Sequence, residues 1–304
     1  MQARSGTLPR EIAPSIMPRW ARRTVQGRMK SVVREAVCAT TDIVDRVAGR
    51  RTPLTPSCRL RVRVGCFLAY MRLSRYQAVA DEFLTYLVEL GGLNARTRFL
   101  DIGCGCGQIA APLTRVLGDG GAYDGFDPDP EAIEWCVRNI SARYPNFRFT
   151  HADIENTQYN PGGGIRADCF QFPYGDAAFD LVLLKSVFTH LQRPAFEQYL
   201  SEIRRMLAPG GRTIASFLLL NDESREHIRR GASSVVFPFQ GEGCRLFDER
   251  TPEYLVAHDE QSVRDVAAAH GLAIESIEYG SWCGRPRFLS YQDLVVVSRS
   301  GGRG

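Results

Sequence analysis

The chain has 304 residues, of which 44% are hydrophobic and 24% are charged, and its formal net charge at pH 7 is +4. This is the composition of an ordinary globular protein, so the chain can form a sizeable core and is not disordered throughout. The longest apolar runs, residues 64–71 and 214–220, are far shorter than the roughly 18 residues that a membrane-spanning helix needs. The sequence therefore predicts one large α/β domain or two smaller ones, without a transmembrane segment.

The charge is distributed unevenly along the chain. Residues 1–75 contain 16 arginine or lysine residues and four acidic ones, whereas the rest of the chain contains 22 basic and 30 acidic residues. A basic arm of this kind can contact nucleic acid, an anionic membrane or an acidic substrate. Its simplest interpretation is a solvated, partly helical arm, because the near absence of lysine indicates a general bias towards arginine.

The cysteines and the first residues bear on the cellular compartment. The first thirty residues contain six arginines but no apolar stretch typical of a secretory signal peptide. The nine cysteines are an odd number in a chain of this length, and two of them, Cys104 and Cys106, lie in a glycine-rich segment. A disulfide framework is therefore not expected, and a reducing cytoplasm is the predicted location.

The N-terminal quarter of the chain is predicted to be helical and basic. Apolar side chains recur at helical spacing over residues 19–47, with arginines between them. Glycine and proline residues at 49–56 break this pattern and predict a linker. A second helix is predicted at residues 76–90, which a glycine pair follows as a C-cap. We therefore predict an extension at residues 1–75 and a domain at residues 76–304.

Beyond the glycine pair, short apolar runs alternate with helical patterns, which is typical of a parallel sheet covered by crossover helices. Asp129 and Pro130 give a strong start signal for the helix after the second run. Residues 221–259 fit no strand–helix unit and predict a lid or substrate-binding insertion. The predicted strands are residues 98–102, 122–126, 147–151, 179–184, 212–219, 272–279 and 292–297, and other predicted helices are residues 108–117, 195–207 and 261–270.

The end of the first predicted strand carries the strongest chemical signal. Asp101 is followed at alternate positions by Gly103, Gly105 and Gly107, and a helix begins directly afterwards. Glycines at this spacing let the backbone turn sharply and let a ligand approach main-chain atoms. Asp127 ends the second strand, where a carboxylate can accept hydrogen bonds from both hydroxyls of a ribose. Together these features predict a nucleoside ligand at the carboxyl edge of a parallel sheet.

The spacing of the glycines distinguishes between nucleosides. The dinucleotide fingerprint needs a glycine at the position of Gln108, so the segment departs from a nicotinamide or flavin pyrophosphate loop. With its other motifs, the sequence resembles the class I S-adenosylmethionine-dependent methyltransferases, whose first motif is an apolar pair, an acid and alternating glycines. The resemblance covers residues 99–297 and is carried, in order, by residues 99–107, 125–127, 152–154, 172–180 and 207–212.

This resemblance implies a Rossmann-like α/β fold: a seven-stranded, mostly parallel sheet with its last strand antiparallel, helices on both faces, and here a helical N-terminal extension. It also implies S-adenosylmethionine as the cofactor, with the ribose at Asp127, the amino-acid end beside Asp101 and the three glycines, and the adenine at Asp153 and Ile154. Ser186, just after the fourth strand, is a weaker candidate contact. No metal site is expected, because the histidines are too scattered to form a ligand set.

Methyl transfer is an in-line displacement at an activated carbon, so catalysis can consist largely of positioning, and a base is needed only where the acceptor loses a proton. The resemblance places the acceptor near the segment after the fourth strand. His190 is the candidate general base there, because an imidazole titrates near neutral pH, with helix packing or capping as an equal alternative. In the loop between the last two strands, we interpret Trp282, Arg285 and Tyr291 as a substrate wall, with edge packing as the alternative.

We therefore expect methyl transfer to a small-molecule, lipid-linked or sugar-linked acceptor, at oxygen rather than nitrogen or carbon; the preference for oxygen depends on His190 alone. The segment that begins at Leu184 lacks the proline and aromatic platform with which amino methyltransferases of nucleic acids stack a flipped base. Nucleic acid is therefore a disfavoured partner. An RNA methyltransferase that uses the basic arm and a non-catalytic nucleoside-binding protein are the alternatives. Contact of the arm with an anionic membrane is a further hypothesis, and the sequence does not specify the oligomeric state.

Overall fold

The computed structural model describes residues 25–65 and 67–300, with side chains from Val32 onward except that of Phe67. The start of the helix predicted at residues 19–47, as far as residue 24, lies outside the described residues. In the described part, a π-helical turn continues α6 and short 3₁₀ turns occur elsewhere. The α-helices are α1 (Val25–Val47), α2 (Cys58–Arg61), α3 (Phe67–Tyr70), α4 (Leu73–Glu89), α5 (Ala110–Leu113), α6 (Pro130–Cys136), α7 (Arg193–Met206), α8 (Asp222–Arg229) and α9 (Glu260–Ala269).

The strands form two sheets. Strands β1 to β5, β10 and β11 belong to the main sheet, and β6 to β9 belong to a smaller one. Their bounds are β1 (Arg98–Ile102), β2 (Ala122–Asp127), β3 (Phe147–His151), β4 (Phe179–Leu184), β5 (Leu207–Phe217), β6 (Leu219–Leu220), β7 (Phe239–Gly241), β8 (Cys244–Leu246), β9 (Val256–Asp259), β10 (Leu272–Glu278) and β11 (Asp293–Arg299).

The main sheet has seven strands in the order β10-β11-β5-β4-β1-β2-β3. β11 runs antiparallel to β5 and β10, and every other pair in this sheet is parallel. Side chains from alternate positions of the strands join two different cores, one beneath α4, α5 and α6 and one beneath α7 and α9. Helices therefore cover both faces of the sheet. This architecture confirms the predicted Rossmann-like fold with an antiparallel last strand.

An aromatic ladder fixes the register of the first three strands. Phe99 of β1 is paired with Tyr123 of β2, which is paired with Phe147 of β3. The ring centroids of Phe99 and Tyr123 are 5.6 Å apart, and those of Tyr123 and Phe147 are 5.1 Å apart. Directly opposed aromatic pairs stabilise neighbouring strands, and all three rings are buried. The ladder therefore fixes the pairing of strands whose opposite, carboxyl ends carry the glycine loop and Asp127.

Two predicted elements have different bounds in the structure. The helix predicted at residues 108–117 is only the four-residue α5, which contains Pro112; this residue lacks the amide hydrogen that a longer helix would use. The strand predicted at residues 212–219 begins earlier, at Leu207, and ends at Phe217. Its end is diverted because the amide of Leu219 donates a hydrogen bond of 2.7 Å to the carboxylate of Asp293, and the chain then pairs with β9.

The predicted insertion at residues 221–259 is a folded unit of its own. It contains α8 and most of the small sheet, whose order is β6-β9-β8-β7. A separate apolar cluster lies beneath it and includes residues from the loop between β10 and β11. This cluster consists of the buried residues Leu218, Leu220, Val235, Phe237, Ala257, Trp282 and Cys283.

The N-terminal helices pack against the main sheet on both sides of the boundary that we predicted at residue 75. α4 begins at Leu73, and buried residues of α1, α2 and α4 belong to the same core as β1. Arg61 of α2 is completely buried and donates hydrogen bonds to the carbonyl oxygens of Pro56, Tyr70 and Met71. Its guanidinium also pairs with two aspartates of α1, Asp42 and Asp45, and so joins the helices on either side of it.

Replacing Arg61 tests this junction. We expect Arg61→Ala to lower the free energy of unfolding by about 3 kcal/mol, because it leaves Asp45 buried without its main partner. Arg50→Ala is the matched control, because Arg50 also pairs with Asp45 but is exposed, and its loss is expected to cost less than about 1 kcal/mol. Urea unfolding followed by circular dichroism measures both values. Equal losses in the two variants would contradict the central role of Arg61.

Candidate active site

The glycine loop lies between the N-terminal segment and the segment after β4. Gly103 and Gly105 have φ values of +74° and +50°, which favour glycine. A Cβ atom on Gly105 would lie 2.4 Å from Cγ1 of Val64, and one on Gly103 would lie 2.6 Å from Cγ2 of Val187. A side chain at either position is therefore excluded by the backbone conformation and by close neighbours. Gly107 also has a positive φ of +74°.

The carboxylate of Asp127 stabilises this loop through a hydrogen bond to its backbone. Its Oδ2 accepts a hydrogen bond of 2.8 Å from the amide of Gly105, and its Oδ1 accepts one of 2.9 Å from the amide of Asp129. Only 8% of the residue is exposed, and burial raises the pKa of its carboxyl from 3.8 to about 6. Because each carboxylate oxygen has a second lone pair, the group can still accept hydrogen bonds from ligand hydroxyls.

Asp101 lies deeper than the sequence indicated. It is 1% exposed, and its Oδ2 accepts a hydrogen bond of 2.7 Å from the hydroxyl of Tyr123, the central ring of the aromatic ladder. Burial raises the pKa of its carboxyl to about 7, and the nearby charge of Lys185 acts in the opposite direction. The Lys185 amine itself lies 5.7 Å and 5.6 Å from the ring centroids of Tyr70 and Phe83. Asp101 is therefore placed to support the base of the loop.

The two residues expected near the adenine are on the segment after β3. Asp153 is exposed, and its carboxylate accepts hydrogen bonds of 3.2 Å from the side-chain amide of Asn160 and from the backbone amide of Gly164. Ile154 is buried in the second core. The loop that follows thus folds back on the Asp153 carboxylate, which fixes its position at the edge of the site.

Ser186 has an uncommon backbone conformation at the end of β4, with φ of +58°. Its amide donates a hydrogen bond of 2.7 Å to Oγ of Ser216 on β5. Its hydroxyl donates one of 2.9 Å to the side-chain oxygen of Gln292, which precedes β11. A non-glycine residue in this region is strained, and such strain is frequent at functional sites. Contacts from two neighbouring strands therefore hold the backbone at Ser186 in place.

His190 lies one 3₁₀ turn beyond the segment that contacts the loop. Its amide donates a hydrogen bond of 2.9 Å to the carbonyl of Val187, whose side chain lies against Gly103 in space. Its Nδ1 lies 2.9 Å from the carbonyl oxygen of Glu253 in the insertion. A carbonyl can only accept, so Nδ1 carries the proton in the neutral ring, and a second backbone hydrogen bond, with Tyr254, also acts on the imidazole. Burial lowers the pKa of the imidazole below 6.5, so the ring is neutral at pH 7.

Trp282 and Arg285 do not form the wall that we interpreted from the sequence. Trp282 is completely buried, and its indole N–H donates a hydrogen bond of 2.7 Å to Asp293. Arg285 is also buried; it donates hydrogen bonds to Asp293 and Glu223. Both side chains neutralise or satisfy a buried carboxylate, so neither presents a surface to an acceptor. Tyr291, in contrast, is 37% exposed.

The structure adds a part of the site that the sequence analysis missed. The segment after α2 lies against the glycine loop through Val64, and Arg63 beside it pairs with Asp129 and Glu131 at the start of α6. The hydroxyl of Tyr159 donates a hydrogen bond of 3.1 Å to the carbonyl of Arg63. The only sequence signal was the apolar run at residues 64–71, which is too short to predict a role.

The comparisons with known proteins agree with this geometry. Residues 100–215 match the family model described as a methyltransferase domain. Over 139 residues, 46% of this chain and 42% of the relative, the sequence is 32% identical to phthiotriol/phenolphthiotriol dimycocerosates methyltransferase 1 of Mycobacterium ulcerans. It is 32% identical over 124 residues to the phthiotriol/phenolphthiotriol dimycocerosates methyltransferase of Mycobacterium tuberculosis, covering 41% of this chain and 37% of that protein. These matches span less than half of either relative.

A solved structure supports the fold. The crystal structure of the PH0226 protein from Pyrococcus horikoshii OT3 matches with a TM-score of 0.53 at 19% identity, over 74% of this chain and 92% of that one. Residues 100–215 thus match a methyltransferase domain, in agreement with the motifs. Within residues 25–65 and 67–300, no three His, Cys, Asp or Glu side chains are grouped to hold a metal ion. None of the helices described there is long and apolar enough to cross a membrane.

The buried carboxyl of Asp127 predicts how cofactor binding depends on pH. Ligand hydroxyls favour the ionised carboxylate, so protonation competes with binding and the affinity falls as the pH drops below about 6. Well below that pH, we expect about a tenfold loss for each pH unit, measured by calorimetry with S-adenosylhomocysteine. Asp127→Asn is expected to bind at least about tenfold more weakly at pH 7.5 and to lose this pH dependence.

Asp101→Asn is the control for that titration, because the pKa of the Asp101 carboxyl is about 7 and its ionisation falls in the same range. This variant is expected to keep the weakening of cofactor binding below pH 6. If the pH dependence persisted in Asp127→Asn and disappeared in Asp101→Asn, the titrating group would be Asp101, and the prediction for Asp127 would be wrong.

Proposed function

We propose that the protein transfers a methyl group from S-adenosylmethionine to a hydroxyl group of a small, lipid-like acceptor. The observation that carries this proposal is the orientation of His190. Its Nδ1–H is committed to the carbonyl of Glu253, so Nε2 is the ring nitrogen that would take a proton from the acceptor. A base at this place is needed for an alcohol, whose proton must leave as the new bond forms.

The residues around the loop fit the proposed cofactor. Gly103 and Gly105 have no Cβ, so a ligand would approach the main chain of the loop more closely than a side chain there would allow, and the Asp127 carboxylate accepts a hydrogen bond from the amide of Gly105. When bound, S-adenosylmethionine supplies a methyl group that is already activated by the sulfonium charge. Asp127 would hold the ribose hydroxyls. Asp153, whose carboxylate is exposed at the edge of the site, would accept from the adenine amine.

The chain's own contribution to catalysis is positioning and proton removal. Contacts from Ser216 and Gln292 fix the backbone at Ser186, which leads directly into the turn that carries His190. Burial keeps the imidazole neutral, so it is in the form that can accept a proton at physiological pH. The acceptor hydroxyl would give its proton to Nε2 of His190, while Nδ1–H remains bonded to the carbonyl of Glu253.

The surface at the same edge supports a lipid-like acceptor. The loop between β10 and β11 ends beside Ser186, because its last residue, Gln292, accepts a hydrogen bond from the Ser186 hydroxyl. Phe288, Leu289 and Tyr291 of this loop are partly exposed. We call these three residues the apolar rim. The relatives' names give phthiotriol and phenolphthiotriol dimycocerosates as what they methylate. A triol offers hydroxyl groups, and an apolar rim suits an acceptor with hydrocarbon chains.

Replacing His190 tests the proposed base. We expect His190→Ala to lower kcat about 100-fold on the preferred acceptor without changing cofactor affinity, because the variant lacks only the proton acceptor. In the unchanged protein, kcat should fall as the pH drops below the pKa of His190, which lies below 6.5, and the variant should lose this limb. His227→Ala, on the surface of α8, is the matched control. Full turnover by His190→Ala would contradict the base assignment.

The acceptor class is tested with a panel of compounds and the spent cofactor as the readout. The panel pairs each polyol with its long-chain monoester, which keeps a free hydroxyl, and includes amines and RNA. We expect turnover only with the hydroxyl compounds, and a lower KM for each long-chain ester. Turnover of RNA or of amines alone would contradict the proposal. Absence of any binding of cofactor would contradict the site as a whole.

A substitution in the apolar rim sharpens this test. Phe288→Asn is expected to raise KM about fivefold or more for a long-chain acceptor, because it removes most of a partly exposed apolar contact, and to leave KM for a short-chain alcohol unchanged. Val137→Asn is the control, because Val137 is a similarly exposed apolar residue in the π-helical turn after α6. An equal effect on both acceptors would count against the rim as the lipid contact.

A further inference from the structure

Helix α1 presents an apolar surface to solvent. Six of its aliphatic side chains are between 36% and 84% exposed. Several of them recur at intervals of three or four residues, so they share one face of the helix. Single exposed valines are common, but six exposed aliphatic side chains along four turns of one helix, with Thr40 between them, indicate a binding surface. This α1 stripe consists of Val32, Val33, Val37, Ile43, Val44 and Val47.

The charges of α1 are arranged around the α1 stripe in a specific way. Asp42 and Asp45 point towards the body of the protein, where Arg51 and Arg61 neutralise them. In the described part of α1, Glu35 is the only exposed acidic residue. The solvent side of the helix therefore combines apolar side chains with little negative charge.

The chain just before and within the start of α1 is strongly basic. Residues 1–34 contain eight arginine or lysine residues and one acidic residue. At the other end of the helix, Arg46 is exposed beside the α1 stripe. An apolar stripe in a basic segment is the pattern of a helix that lies in the interface of an anionic membrane.

We propose that the α1 stripe docks the protein on an anionic lipid bilayer, with α1 lying in the plane of the interface. The basic residues complement the negative surface, and the aliphatic side chains enter the boundary between headgroups and acyl chains. Nucleic acid would be bound by the basic residues alone and would leave the α1 stripe in water, so the observations favour the bilayer.

The position of α1 connects this surface with the active site. α1 contacts α2 through the buried Arg61, and three residues later the chain reaches Val64, which lies on the glycine loop. A short segment of chain therefore connects the surface of α1 with the residue that lies against the glycine loop. Such an arrangement would serve a protein whose acceptor is dissolved in the membrane, although vesicle binding itself does not depend on the proposed methyl transfer.

The experiment is flotation of the full chain with vesicles of phosphatidylcholine that contain 30% phosphatidylglycerol, compared with pure phosphatidylcholine, at low and high salt. We expect binding to the anionic vesicles that falls about tenfold or more between low and high salt. The double variant Val33→Gln and Val44→Gln keeps the net charge and is expected to bind at least about tenfold more weakly. Val137→Gln, an exposed valine outside α1, is the matched control.

Two further measurements give each outcome a meaning. Circular dichroism checks that the double variant keeps its helices, as expected because both side chains are exposed. Light scattering reports whether two chains associate through α1. Binding lost in the double variant and kept in Val137→Gln supports the proposal. No binding to anionic vesicles, undiminished binding by the double variant, or a dimer that the double variant abolishes while vesicles are not bound would each overturn it.

Discussion

The site depends on the buried carboxylate of Asp127. It accepts one hydrogen bond from the glycine loop and one from the backbone where α6 begins, so it connects the ends of β1 and β2 through a single group. Without it, the amide of Gly105 would lose its buried acceptor, which costs about 1–3 kcal/mol for a backbone donor. The conformation of the glycine loop therefore depends on this carboxylate, which satisfies the buried amide of Gly105.

The same carboxylate begins a closed circuit of contacts. Asp129, whose amide bonds Asp127, caps α6 with its side chain and pairs with Arg63. The residue next to Arg63 is Val64, which returns to Gly105. The N-terminal segment, the glycine loop and α6 thus hold one another. Burial raises the pKa of the carboxyl groups of both Asp127 and Asp129, so a ligand that donates hydrogen bonds to Asp127 would stabilise its ionised form.

The main sheet could be predicted from the sequence because local pattern and burial agree there. Strands such as β1 and β4 are short apolar runs, buried on both faces, and the N-cap of α6 was readable as Asp129 followed by Pro130. Long-range contacts could not be read in this way. Trp282 has the residue type of a substrate wall, yet its indole N–H is consumed by the buried Asp293, which is eleven residues away in the chain.

The position of the N-terminal segment also could not be predicted from local sequence patterns. Glycine and proline residues at 49–56 predicted a linker, and nothing local marks Val64 as a neighbour of the glycine loop. Its position follows from Arg61, whose buried guanidinium gathers carbonyls and carboxylates from both sides of the segment. A buried arginine is tolerated only where such partners converge. The segment therefore became part of the site through a polar junction, which hydrophobic periodicity does not reveal.

The two exposed apolar surfaces follow from how the core was completed. The α1 stripe faces outward because the inner side of α1 is used by its aspartates, which bind Arg61 and Arg51. The apolar rim faces outward because Trp282 and Arg285, in the same loop, have turned inward to Asp293. In both places, polar side chains occupy the inward-facing positions, and aliphatic or aromatic side chains are exposed to water. Since exposure of this kind costs free energy in a monomer, it is the arrangement expected of surfaces that meet hydrocarbon.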